Sequence, residues 1–265
     1  MTPTVVSSTQ VVPNMTPDYE VRLLLNPAEV FSSEFELKDT VFSAFNMTPT
    51  STKLNVQFLD TCSKEIYRAG WSPRIRKEKK DEFELTYKKR YAITGGDIDA
   101  ALTTANTDGF ADGNTEYKAQ VEWGYQKQTL SISHKKTIAD PGNSGTDLPD
   151  ESNSRKMLID NAPGKFDNWF HKQWGTSALA ISRIFGPVLA RRSAGTWNGM
   201  PLYLEVWPLL NPGGTGIEYI VEASFKMKDS TTASVERSKL VAYLQGKGWL
   251  LERDSLKTQL IMERY

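Results

Sequence analysis

The stretch "WSPRIRKEKKDEFELTYKKRY", residues 71–91, carries Arg74, Arg76, Lys77, Lys79, Lys80, Lys88, Lys89 and Arg90. The 265-residue chain around it balances 32 basic against 32 acidic side chains. Clustered bases in a neutral chain face solvent, a nucleic acid, or the lining of an anion pocket. A sequence pI near 6.8 argues against a general nucleic-acid binder, which carries a net basic domain or stripe. Successive side chains of a strand point to opposite faces. Two strands, 71–78 and 82–91, joined by the turn Lys79-Lys80-Asp81, therefore set Arg74 and Arg76 around Ile75. They also set Phe83, Leu85 and Tyr87 opposite Glu84, Thr86, Lys88 and Arg90.

The same two-faced pattern recurs along the chain. In 19–25, Tyr19, Val21 and Leu23 oppose Glu20, Arg22 and Leu24; in 129–135, Leu130 and Ile132 oppose Ser131, Ser133 and Lys135. In 202–207, Leu202, Leu204 and Val206 oppose Tyr203, Glu205 and Trp207. In 218–226, Tyr219, Val221, Ala223 and Phe225 oppose Glu218, Glu222, Ser224 and Lys226. A further strand is expected over 53–61, and 116–136 reads as one long strand or two broken at Gly124. Helices are expected over 28–45, after the cap Asp97, over 164–175, and over 230–246 with Asp229 or Ser230 as cap and Gly246 as stop. Residues 1–17 read as a flexible tail and 139–155 as a disordered loop.

This inventory is strand-dominated, which points to an α+β protein built on an antiparallel β-barrel or curved sheet with covering helices. Two arrangements satisfy the alternation. Water wets the polar faces of an open sheet, or helices cover the apolar faces and a barrel encloses the charges. Isolated buried charges are too costly to stand alone. A charged lumen therefore needs water, cross-lumen ion pairs, or an anionic ligand with a metal.

Thirty-nine percent hydrophobic residues suffice for a core. The single cysteine, Cys62, cannot form an internal disulfide and reads as a small, partly buried residue in a reducing compartment. With no leader-like start and no apolar run of about 18 residues, a cytoplasmic protein without a membrane partner is expected. His134 and His171 lack Cys or Asp neighbours at ligand spacing and read as structural or surface residues. Trp123, Trp169, Trp174 and Trp249 read as core or cover-helix residues.

An ordered set of motifs then stands out: Leu59-Asp60-Thr61, Gly70, Arg74-Ile75-Arg76, and Leu85-Thr86-Tyr87-Lys88. Their order and spacing resemble the CYTH, or triphosphate tunnel metalloenzyme, family. The strand bearing Glu205 and the segment 255–265 resemble that family's closing elements. The likeness spans 18–265 as one barrel domain, with inserts near 92–127 and 139–165. It implies a barrel tunnel in which basic residues hold a polyphosphate and glutamates hold Mg²⁺ or Mn²⁺. Hard oxygen ligands suit such cations, and arginine forks bind phosphate oxygens in pairs. Carried over, Arg74, Arg76 and Lys88 become phosphate contacts, with Arg90, Lys226 and Arg22 beside them. Glu20, Glu205 and Glu222 become the catalytic, metal-side carboxylates. One of Arg183, Arg191 and Arg192 supplies another basic contact.

The chain also departs from the family pattern. Where the first strand should read Glu-x-Glu-x-Lys, it reads Glu20-Val21-Arg22-Leu23-Leu24. Trp207 stands two residues beyond Glu205, where a further glutamate is expected. These changes remove metal-binding oxygens and add apolar surface. The sequence thus implies metal-dependent turnover of a phosphorylated small molecule, a triphosphate or an organic phosphate. The alternative is a tunnel repurposed for an unphosphorylated organic molecule without metal, with Leu24, Tyr203 and Trp207 contacting it. Arg74, Arg76, Lys88 and Arg90 are expected to face the lumen, and Lys77, Lys79, Lys80 and Lys89 to be solvated.

Overall fold

The computed structural model describes residues 12–78, 81–140, 142 and 144–265. The alternating segments become strands β1 (Asp18–Leu25), β2 (Thr52–Asp60), β3 (Trp71–Lys77), β4 (Glu82–Ala92) and β5 (Lys118–Trp123). They continue as β6 (Gln128–Ala139), β7 (Arg183–Trp197), β8 (Met200–Leu210) and β9 (Ile217–Met227). These close into one barrel in the order β1-β5-β6-β4-β3-β2-β7-β8-β9, with β9 returning to β1. An odd number of strands cannot alternate direction all the way round. One seam must be parallel, and it is β1 against β5, with Glu20 beside Glu122. The strand that forces this seam, β5, comes from the segment expected as an insert.

The helices are α1 (Pro27–Val30), α2 (Asp39–Ala44), α3 (Glu65–Arg68), α4 (Ile98–Thr107), α5 (Glu151–Asp160) and α6 (Gly164–Asp167). They are followed by α7 (Trp174–Ala180), α8 (Ser230–Gly246) and α9 (Lys257–Arg264). Asp97 caps α4 through the Ala100 amide at 2.9 Å, and Asp229 caps α8 through the Thr232 amide at 2.5 Å. The covering helices bury the apolar outer faces of the strands. Ile75, Leu85, Tyr87, Leu130 and Ile132 pack with α4 to α7 on one side. Val21, Leu23, Leu204, Val221 and Phe225 pack with α2 and α8 on the other. Each such side chain contributes about 1.5–3 kcal/mol on burial. A third cluster lies inside the barrel, where Leu24, Leu54, Phe58, Trp207 and Ile220 meet Ile261 and Met262 of α9. It forms an apolar floor under the charged lumen. Arg264 Nη1, donating to the Leu210 carbonyl at 2.9 Å, and the Tyr265 hydroxyl, accepting from the Leu210 amide at 3.0 Å, clamp α9 in place.

Several expectations change. The helix expected over 28–45 is two short helices, because Phe35 takes a left-handed φ of 58° and Phe31 bridges back to Leu37. The helix over 164–175 is likewise interrupted before α7, where Gln173 has φ 61°. The long strand β7 was not foreseen, since Gly186-Pro187 and Arg191-Arg192 obscure its alternation. Residues 12–17 are tied down: the Asp112 amide donates to Pro13 at 2.9 Å, and Met15 is buried. Residues 1–11 of the expected tail lie outside the described part. The expected loop 139–155 ends in α5, with Gln57 Nε2 donating to Ser154 Oγ at 2.7 Å. Cys62 is exposed.

Candidate anion-binding tunnel

The Leu59-Asp60-Thr61 motif builds the approach to the site. Asp60 is buried, and its carboxylate accepts from the amides of Thr61 (2.7 Å), Ile66 (2.9 Å) and Tyr67 (2.7 Å). It therefore fixes α3 and the turn into β3. Gly70 follows with φ 78°, and a Cβ there would sit 2.8 Å from Lys89 Nζ. The tight turn that starts β3 thus needs glycine. From this start the alternation carries Arg74 and Arg76 inward.

The lumen is a cavity of about 370 Å³, within the size range of small-molecule sites. Basic side chains line it from many strands: Arg22, Arg74, Arg76, Lys88, Arg90, Lys135, Arg192, Lys226 and Lys257. Glu20, Glu122, Glu205 and Glu222 line it too, with Glu84 at its edge. Three clusters divide these charges. In the first, Glu84 accepts from Arg74 at 2.9 Å and Arg76 at 3.0 Å, with Lys135 at 3.3 Å. Burial pushes Glu84 up, but these three cations outweigh it and hold the carboxyl down at about 2. Burial, together with Arg76 and against Glu84, lowers Arg74 to about 10.

In the second cluster, the buried carboxylate of Glu122 accepts from Arg22 at 2.9 Å and Lys88 at 2.7 Å, with Arg90 Nε at 3.7 Å. The cations overcome desolvation and hold Glu122 well below the usual carboxylate range. Burial lowers Lys88 to about 8, with Glu122 offsetting part of the cost. Arg22 is raised despite its burial, by Glu122 first and then Glu222 and Glu20.

In the third cluster, Glu205 and Glu222 face each other across β8 and β9. Lys257 Nζ lies 2.6 Å from Glu205 and 2.7 Å from Glu222. Arg192 holds the other oxygen of Glu205 through Nε at 2.9 Å and Nη2 at 2.7 Å, and Trp207 Nε1 donates to it as well, at 2.9 Å to Oε2. Desolvation opposes these cations, yet Glu205 ends well below its ordinary value and Lys257 above its own.

The candidate residues fall as follows. Arg22, Arg74, Arg76, Lys88, Arg90, Tyr203, Glu205, Trp207, Glu222 and Lys226 all border the lumen, as does Glu20. Arg192 does so as well, whereas Arg183 donates to the Tyr265 backbone carbonyl and Arg191 pairs with Glu36 outside. Lys77 and Lys89, expected in solvent, are buried. Lys77 pairs with Asp140, and Lys89 donates to the Ala69 carbonyl at 2.6 Å under the Trp169 ring. Lys79 and Lys80 lie outside the described residues. Leu24 and Trp207 belong to the floor under α9 and offer little open surface. Glu84 and Lys135 were assigned to polar strand faces but not to the site, and Glu122 and Lys257 were missed. Glu122 carried a signal, since Gln120 and Glu122 alternate with Ala119 and Val121.

The three proposed metal carboxylates do not come together. Glu20 accepts from Gln120 at 2.8 Å and lies opposite Lys226, four residues along β9 from Glu222, or about 13 Å of strand. Glu205 and Glu222 already share an ammonium. No cluster of three or more His, Cys, Asp or Glu arranged for a metal occurs among the described residues. The carboxylates in place, engaged by Lys257, Arg192 and Gln120, do not offer Mg²⁺ or Mn²⁺ a ready set of protein oxygens.

No family profile and no curated protein matches the sequence. Solved structures do match. The candidate adenylyl cyclase HpAC1 from Hippeastrum, described as having a dominant triphosphatase activity, aligns with 93% of this chain and 99% of its own at 12% identity and a TM-score of 0.51. A candidate adenylate cyclase (bh2851) from Bacillus halodurans aligns with 92% of this chain and 96% of its own at 12% identity and a TM-score of 0.50. Among the described residues no helix is long and apolar enough to cross a membrane. The chain is a divergent example of the CYTH-type triphosphate tunnel fold.

Proposed function

We propose that the tunnel binds a phosphorylated small molecule, a triphosphate or an organic phosphate, and turns it over. One observation carries the reading. The Nε–H groups of Arg22, Arg74, Arg76 and Arg90 are buried in the lumen with no hydrogen-bond partner among the described residues. A buried donor without an acceptor costs about 1–3 kcal/mol, and these four border one cavity with Lys88 and Lys135. A multivalent anion with oxygens on several sides satisfies such a wall, and arginine forks suit phosphate oxygens. The bases outnumber the carboxylates along the lining, so an anion of several charges balances the lumen.

Turnover would follow the logic of phosphoryl transfer, in which positioning and charge stabilisation supply most of the rate. Water would attack the phosphorus, its proton ending on the released phosphate, while Arg74 and Arg76 hold the charge that develops on the transferred group. Lys88, lowered to about 8, would donate a proton to the departing oxygen near neutral pH. Tyr203, partly exposed beside Arg192, would meet an organic substituent. Mg²⁺ or Mn²⁺, implied by the sequence resemblance, finds no set of three carboxylates ready for it among the described residues. The exposed single cysteine accords with a cytoplasmic setting.

A second reading, an unphosphorylated organic anion bound without metal, is favoured by Lys257 and Arg192 engaging the carboxylates. Calorimetric titration of tripolyphosphate with and without Mg²⁺, followed by phosphate-release assays on tripolyphosphate and nucleoside triphosphates, separates the two. Micromolar binding that R74A and R76A weaken is the expected result. No binding in either condition would exclude the phosphate reading.

A further inference from the structure

We infer that Lys257 is a built-in cation that takes the place of a divalent metal at the Glu205–Glu222 pair, so that this chain's tunnel works without one. Like charges directly opposite on neighbouring strands repel, and both carboxylates are nearly buried. Such a pair persists only with a cation between its members, or with one member protonated. The structure supplies the cation from the helix at the floor of the lumen and not from a strand of the wall. Lys257 is the first residue of α9, and its ammonium reaches both carboxylates at hydrogen-bond distance. Its side chain passes over the Trp207 ring, with Nζ 4.7 Å from the centroid.

The rest of the shell is built for an ammonium and not for a metal ion. A magnesium or manganese ion keeps near-octahedral geometry at about 2.0–2.1 Å and retains several waters. The oxygen of Glu205 that faces Lys257 also accepts from the Trp207 indole, and the other is held twice by Arg192. Trp207, two residues beyond Glu205, puts an indole N–H donor beside the pair and adds no oxygen to it. Arg22, which borders the lumen near this pair, is a further cation beside the position. A divalent ion entering here must displace an ammonium already held by two carboxylates and meet Arg22 and Arg192 beyond it. The clamp of Arg264 and Tyr265 on Leu210 keeps α9, and with it Lys257, in register.

The inference does not depend on which anion the tunnel takes, and its test contains no phosphate, so the two can fail separately. Mn²⁺ binding is measured by electron paramagnetic resonance on the full chain, on K257A, and on K257A with E222Q. The Lys257 side-chain NMR signal of the unsubstituted protein is followed through a Mg²⁺ titration. The expected results are no Mn²⁺ retention by the unsubstituted protein below millimolar concentration and a Lys257 signal unmoved by Mg²⁺. Mn²⁺ should bind K257A at least tenfold more tightly, and E222Q should remove that gain. Sub-millimolar Mn²⁺ binding by the unsubstituted protein that E205Q or E222Q abolishes would overturn the inference. So would a folded K257A that binds Mn²⁺ no better than its parent. If thermal melts show K257A unfolded, the Mn²⁺ and NMR measurements on the unsubstituted protein decide alone.

Discussion

Replacing Glu122 by glutamine removes one charge from the middle of the tunnel and leaves three cations without their counter-ion. The carboxylate is fully buried, while Arg22, Lys88 and Arg90 retain side-chain exposures of 15%, 18% and 17%. Breaking a buried pair by removing one partner costs about 3–5 kcal/mol. The residual solvent access of the cations, and the acceptor oxygen that glutamine keeps, place E122Q at the lower end, about 3 kcal/mol. For a chain of this size one kcal/mol moves Tm by about 2–4 °C, so E122Q should melt about 6–12 °C lower. The three released cations should then bind an anion more eagerly. Saturating tripolyphosphate should raise the Tm of E122Q by more than it raises that of the unsubstituted protein. Differential scanning fluorimetry with and without tripolyphosphate reads both effects. A drop of less than about 2 °C would refute the view that Glu122 holds three desolvated cations together.

R76A should weaken tripolyphosphate binding about 10–100-fold by calorimetry, the loss of one charge-assisted contact of roughly 1.5–3 kcal/mol. Tripolyphosphate affinity should fall as pH rises through about 8, where Lys88 loses its proton, and K88M should flatten that step; an unchanged step in K88M would place the titrating group elsewhere. Glu84 is depressed to about 2 in the folded chain against about 4.3 when unfolded. Its contribution is therefore complete above about pH 4.3 and is lost as pH falls toward 2. E84Q should accordingly show a shallower loss of Tm across that window than the unsubstituted protein.

The barrel was legible because its strands alternate so regularly. Once Ile75, Leu85 and Tyr87 are assigned to one face, Arg74, Arg76, Lys88 and Arg90 must share the other, and Arg22 follows by the same parity on β1. The same parity bears on Lys77 and Lys89. Both fall on the apolar outer face, and in a barrel covered by helices that face is the buried one. Reading them as solvated followed charge where periodicity was the better guide. Lys257 was not legible in this way. It projects from a helix, and only the docking of α9 against the barrel floor brings it to Glu205 and Glu222. Arg22 takes Glu122 as its partner, on the strand across the seam. That choice depends on the parallel seam, which no local pattern announces.

That seam has a consequence for how a nascent chain reaches this form. Strand β1 has no neighbour among the residues that immediately follow it. One edge waits for β5, and the other waits for β9, where Tyr19 lies opposite Met227. Pairings this distant in sequence slow folding and leave unpaired edges exposed in the meantime. The hairpins β3–β4, β5–β6, β7–β8 and β8–β9 can each form locally as they are made. The charged walls must then gather before any lumen exists to hold an anion. A polyphosphate present during refolding should accordingly speed the final closure and leave the early hairpins unaffected.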